Sequence, residues 1–389
     1  MNRLLLPIVL VFLLAACGSA SERGSATVPG TAASKPPPTT STAASSSEAP
    51  PTTGSADSAP DCAPVIAELS PRERVAQLLV VGVEPSDPAA ATALVRQEQV
   101  GGIFIGGNAT DLLTGNALDR LQQAARVPVS IAVDDEGGRV QRVDELDGEL
   151  PSAREMAGTM TPEEVRALAE QRGRALLARG VTVNYAPTVD VTGEAADAAI
   201  GDRSFSADPA VARRYALAFA TGLADAGVRP VLKHFPGHGH ASGDSHTGLV
   251  TTPPLAELRK TDLRPYERIG EYGDVSVMVG HLTVPGLTGD QPASLSPRAY
   301  ELLRTDYGFT GPVVTDDVGA MRAITDRYPL PDAVLRALQA GADQALWSSG
   351  GDVGPVLDRL EQAVAAGELP AQRVEESLRR VLLAKGACR

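Results

Sequence analysis

The chain has 389 residues, a formal net charge of −13, three cysteines and 43% hydrophobic residues. That length holds a sizeable core, in one large domain or two ordinary ones. The acidic balance, with cations scattered and no basic block, excludes nucleic acid and an anionic membrane surface held by charge, because both need clustered Lys and Arg. Along the chain, Arg3 comes first as a short positive region, followed by an apolar run from Leu4 to Leu14. That run is shorter than the ~20 residues a membrane-spanning helix needs, and it reads as a signal for export.

Leu14-Ala15-Ala16-Cys17 resembles a bacterial lipobox. Residues 1–16 are therefore expected to be a lipoprotein signal peptide, and Cys17 the acylated residue. Each buried methylene of such an anchor contributes ~0.8 kcal/mol. The expected location is the outer face of the cytoplasmic membrane, with the membrane as a partner through this anchor. Residues 17–60 are rich in Ser, Thr, Pro, Ala and Gly, with too little apolar surface to offset the entropy of ordering. They read as a disordered tether with an average reach of roughly 35–40 Å.

From Asp61 to Arg389 the pattern changes to one folded domain. Eight short β-branched runs serve as strand candidates: Leu78–Val83, Gly102–Ile105, Val129–Asp134, Thr182–Ala186, Val228–His234, Val275–His281, Pro312–Asp316 and Gln344–Trp347. Helical stretches lie between many of them, at Asp111–Ala125, Pro162–Arg179, Pro209–Ala226 and Asp332–Ala340. Asp352–Ala366 and Ala371–Lys385 read as closing helices. Eight such units predict an α/β fold, a single (β/α)8 TIM-type barrel. A doubly wound open sheet is the alternative, weakened because no Gly-rich dinucleotide fingerprint follows the first strand. In an exported barrel, whose ends lie close together, Cys62 and Cys388 are expected to form a disulfide.

Polar groups gather where the strand candidates end: Asp134, Asn184, Lys233-His234, His281 and Asp316. These ends form the active-site face of a barrel. The densest segment is Lys233-His234-Phe235-Pro236-Gly237-His238-Gly239-His240, continuing to Gly243-Asp244-Ser245-His246; it holds four of the five histidines. Metal binding by His234, His238, His240, Asp244 and His246 is one reading. Their spacing matches no common zinc motif, and Lys233 repels a cation, so no metal or other cofactor is expected.

This segment resembles the signature of family 3 glycoside hydrolases, in their β-N-acetylglucosaminidase branch. Val133-Asp134-Asp135-Glu136-Gly137-Gly138-Arg139-Val140-Gln141-Arg142, Asn184-Tyr185-Ala186-Pro187, Gly201-Asp202-Arg203-Ser204-Phe205 and Val314-Thr315-Asp316-Asp317-Val318 agree with it in order. The resemblance implies that Asp316 is the nucleophile of a retaining reaction. It implies that His246, oriented by Asp244, takes the acid/base role usually held by a second carboxyl. Asp134, Arg203, Lys233 and His234 are then expected to bind the sugar. His281 is a further candidate for the pocket wall. Glu136 is read as a helix cap or a partner of Arg139, and Arg142 is left open. The Asp316-Asp317 pair also resembles the acidic pair of enzymes that use the substrate's acetamido group as nucleophile, a route against which Asp244-x-His246 argues.

The expected partner is a GlcNAc-containing glycan or muropeptide, cleaved from the nonreducing end by a monomeric enzyme. A chain only 4% aromatic, with one Trp, suits a short exo-acting pocket rather than a long polysaccharide groove. Two alternatives stand beside this. A neutral histidine base does not repel phosphate, which leaves phosphorolysis open. A non-catalytic sugar-binding lipoprotein is the other, although such proteins have two lobes and aromatic clefts.

Overall fold

In the computed structural model, which describes residues Pro60–Cys388, all eight candidate runs form strands. They are Leu79–Val83, Gly102–Ile105, Ser130–Val133, Val183–Asn184, Arg229–Phe235, Ser276–Val279, Val313–Asp317 and Gln344–Trp347. Each pairs in parallel with its neighbours in chain order, and the first closes on the last. The fold is a (β/α)8 barrel. Residues 1–59, which hold the expected signal peptide, Cys17 and all but the last residue of the expected tether, lie outside the described residues.

The helices are cut by local chemistry. Thr161 and Glu164 form a capping box ahead of Pro162–Ala178, while Asp208 caps Pro209–Asp225. These two helices pack closely because Gly222 has no side chain: a Cβ there would meet the Arg166 carbonyl at 2.2 Å. Two departures from the expected helices have simple causes. The continuous helix expected over Asp111–Ala125 is a single turn, Asp111–Leu113, followed by Ala117–Gln123. Gly115 between them has φ +61°, which ends one helical path before the next begins. A helix over Pro88–Glu98, capped by Asp87, went unassigned in the sequence because its apolar face is mostly small alanines.

The barrel interior is layered, as alternation along the strands requires. One inner residue per strand forms a ring of Val80, Phe104, Ala132, Tyr185, Val231, Met278, Val314 and Leu346. Val80, Ala132, Val231 and Val314, from the odd strands, face the N-terminal mouth. Phe104, Met278 and Leu346, from even strands, face the C-terminal mouth, and Tyr185 reaches both. Two residues further along the odd strands come Gly82, Asp134, Lys233 and Asp316. A third layer that could have been apolar is therefore charged.

A disulfide joins Cys62 to Cys388 across 326 residues, at the end of the barrel where the strands begin. A cross-link around so long a loop restricts the unfolded chain, and its removal is expected to cost about 2–5 kcal/mol. The paired substitution Cys62→Ser and Cys388→Ser should lower the urea midpoint accordingly. An unchanged midpoint would show that the bridge adds nothing to stability.

Candidate active site

A cavity of ≈590 Å³ opens at the C-terminal mouth, floored by Phe104, Tyr185, Met278 and Leu346. Phe104 and Tyr185 stack there with ring centroids 5.6 Å apart. Asp134, Glu136, Arg142, Arg203, Lys233, His234, His246, Asp316 and Asp317 are in its wall.

One side of the wall is a buried ion network. Lys233 Nζ lies 2.6 Å from Asp134 Oδ1 and 2.5 Å from Glu136 Oε1. Arg203 Nε and Nη2 each donate to Glu136 at 2.8 Å, a bidentate clamp. Burial alone would raise the Glu136 pKa; the cations of Arg203 and Lys233 outweigh it and hold the carboxyl far below its usual range. Burial likewise opposes the charge on Lys233, but Asp134 and Glu136 carry its pKa above the ordinary lysine value. The expected pairing of Glu136 with Arg139 is not what forms: Arg139 instead meets Asp202 at 3.1 Å and the Ala198–Ile200 carbonyls. Glu136 is the hub of the cluster, a role its sequence position did not reveal.

His234 is fixed from behind. Its Nδ1 lies 2.7 Å from Asp190, which also accepts the His234 and His238 backbone N–H groups. Asp190 is buried, yet His234 and these N–H groups keep it ionised more readily than usual. The contact leaves His234 Nε2 for the cavity. Asp190 is a second residue that sequence reading missed, since nothing near it in the chain marks it.

Asp316 is the penultimate residue of the seventh strand, on the inner face. Its Oδ1 accepts the Asp317 N–H at 2.9 Å. Burial would raise its pKa; His234, His281, the Asp317 N–H and His246 bring it down to about 2. Asp317, one residue on, also lines the cavity, but its carboxylate is fully engaged. It accepts the Gly319 and Ala320 N–H groups at 2.8 and 2.9 Å, together with the N–H and hydroxyl of Ser348.

The loop after the fifth strand carries Asp244 and His246, with His246 Nδ1 2.7 Å from Asp244 Oδ1. The Asp244 carboxylate accepts the His246 N–H as well, at 2.9 Å, so the pair is a closed local turn. Both side chains remain well exposed, at 67% for His246 and 41% for Asp244. Two further strand-end groups have structural duties. Asn184 clamps the Asp135 backbone in both directions, at 2.9 and 2.8 Å. His281 is wholly buried, bonded to Ser294 and to the Asp317 carbonyl, and does not reach the cavity. Arg142 does line it.

The other histidines face separate partners: His238 meets Ser245 at 3.0 Å and His240 meets Asp262 at 2.8 Å. Among the described residues, no group of three His, Cys, Asp or Glu side chains converges as a metal site would require.

Residues 70–384 match the profile described as Glycosyl hydrolase family 3 N terminal domain. The chain belongs to glycosyl hydrolase family 3. Among its relatives is the β-hexosaminidase LpqI of Mycobacterium tuberculosis, 53% identical over 337 residues, or 85% of this chain and 86% of that protein. A family 3 glycosyl hydrolase of Mycobacterium smegmatis, known from its crystal structure, is 56% identical with a TM-score of 0.81. The match covers 83% of this chain and 99% of that one. The β-N-acetylhexosaminidase of Beutenbergia cavernae superposes with a TM-score of 0.75 at 28% identity, over 82% of this chain and 99% of its own. Family 3 membership makes the chain a glycoside hydrolase and removes the non-catalytic binding lipoprotein as a reading.

Proposed function

We propose that the chain is an exo-acting, retaining β-N-acetylglucosaminidase that removes nonreducing terminal GlcNAc from peptidoglycan fragments or related glycans. The observation that carries this is the contrast between the two adjacent aspartates. Asp316 offers an ionised carboxylate to the cavity, whereas the Asp317 carboxylate is spent on Gly319, Ala320 and Ser348. The substrate-assisted route needs Asp317 as a free acid, and this argues against it. β-hexosaminidase relatives support the sugar class.

In the first step Asp316 attacks the anomeric carbon, and the bond to the leaving oxygen breaks. His246 supplies the proton to that oxygen from Nε2, because Nδ1 is held by Asp244. The neutral imidazole then takes a proton from water, which hydrolyses the glycosyl ester on Asp316. Asp134, Arg203, Lys233 and His234 bind the sugar hydroxyls, over the Phe104 and Tyr185 floor. The His246–Asp244 turn is exposed, so the acid meets the leaving oxygen by loop closure.

An aryl β-N-acetylglucosaminide tests the reaction, with the anomeric configuration of the first product read by NMR. A β-configured first product supports retention; an α product overturns it. His246→Ala is expected to slow substrates with poor leaving groups by about 10²–10³-fold and activated aryl glycosides far less. Equal losses on both would remove His246 from the acid role. Release of GlcNAc from purified muropeptides tests the natural substrate. The proposed anchoring through Cys17 predicts that Cys17→Ser moves the chain from the membrane to the soluble fraction.

A further inference from the structure

The barrel's N-terminal mouth holds a second cavity, of ≈400 Å³. Its floor is the odd-strand layer of Val80, Ala132, Val231 and Val314. Ser276, at the start of the sixth strand, is only 7% exposed and lines this cavity. Among the described residues its hydroxyl has no hydrogen-bond partner. Lys385 enters from the end of the last helix, Ala371–Ala384.

The charges at this mouth are unequal. Arg229 closes on both Asp274 oxygens, at 2.6 and 2.5 Å, and donates to the Ala384 carbonyl at 3.1 Å. Lys385 Nζ reaches only the neutral Gln77 Oε1, at 2.8 Å, with no carboxylate at ion-pair distance among the described residues. Tyr185, in the floor, is kept protonated by burial. The amine's desolvation at this mouth lowers the Lys385 pKa to about 7.

An amine whose one partner among the described residues is a neutral amide, and a hydroxyl open to the cavity, above an apolar floor, complement one kind of ligand. We propose that the N-terminal mouth binds a small carboxylate with an apolar tail, the carboxylate on Lys385 and Ser276 and the tail on the valine floor. This site lies at the opposite pole from the sugar cavity, and it does not depend on the reaction proposed there. The ligand pairs with the protonated amine, so binding takes up a proton at pH values above the free amine's pKa. Affinity therefore falls by about tenfold from pH 6 to pH 8.

Titration calorimetry of the full chain with hexanoate, and with hexan-1-ol as its uncharged counterpart, tests this at both pH values. One saturable site is expected for hexanoate, with hexan-1-ol about tenfold or more weaker. Lys385→Met should weaken hexanoate about tenfold or more, and Ser276→Ala by less. Asp316→Ala should bind as the parent does. Thermal melts establish that each variant is folded. Absence of saturable hexanoate binding at pH 6, equal binding of hexan-1-ol, or unchanged binding by folded Lys385→Met would each overturn the proposal.

Discussion

Asp316→Ala is expected to lose turnover on aryl β-N-acetylglucosaminides by on the order of 10⁴-fold or more while keeping the parent's melting profile. The size follows from what no neighbour can replace. The Asp317 carboxylate has its acceptor positions filled, and Asp134 and Glu136 are bound to Lys233 and Arg203. The Asp316 side chain has little structural duty, since it accepts a hydrogen bond only from its own neighbour's N–H among the described residues. Its low pKa adds a second expectation, that ionisation of the nucleophile does not limit activity anywhere above about pH 3. Azide supplied to the alanine variant should occupy the vacated space and yield the α-glycosyl azide, the product of a single displacement. Substantial turnover by Asp316→Ala without azide would end its assignment as nucleophile.

Glu136→Ala is expected to be the most destabilising single change in the site, at about 3–5 kcal/mol. It leaves Arg203 and Lys233 buried together with Asp134 as their remaining carboxylate, where two anions had balanced two cations. Glu136→Gln keeps the shape and some hydrogen bonds but not the charge, so it should fall between parent and alanine. The pH dependence has a definite sign. The folded pKa of Glu136 is depressed, so its stabilisation is fully present above the unfolded value of about 4.3 and is lost as pH falls below it. Urea midpoints at pH 7 and about pH 3 measure both effects. A Glu136→Ala midpoint equal to the parent's at pH 7 would mean the network contributes nothing net.

The barrel was legible because its signals are local. Each strand is a short apolar run, and Pro and capping residues mark the helix starts. Asp134, Lys233 and Asp316 were legible for the same reason, as charged residues ending apolar runs. The same rule misled at Asn184 and His281, whose polar ends turn out to tie backbone and loop rather than meet the cavity. Direction along a strand decides this. Alternation puts Asp316 inward, and its neighbour Asp317 turns to Ser348. Glu136 and Asp190 were beyond sequence reasoning because their duties arise from distance in the chain. Arg203 is 67 residues from Glu136, and His234 is 44 from Asp190. The fold alone brings them together.

The disulfide also gives the molecule a mechanical polarity. Cys62 and Cys388 meet where the strands begin, beside the last helix whose Ala384 carbonyl receives Arg229. A pull on residues ahead of Cys62 is passed through a covalent bond to the chain's other end, bypassing the seam between the first and eighth strands. That load enters at the pole opposite the sugar cavity.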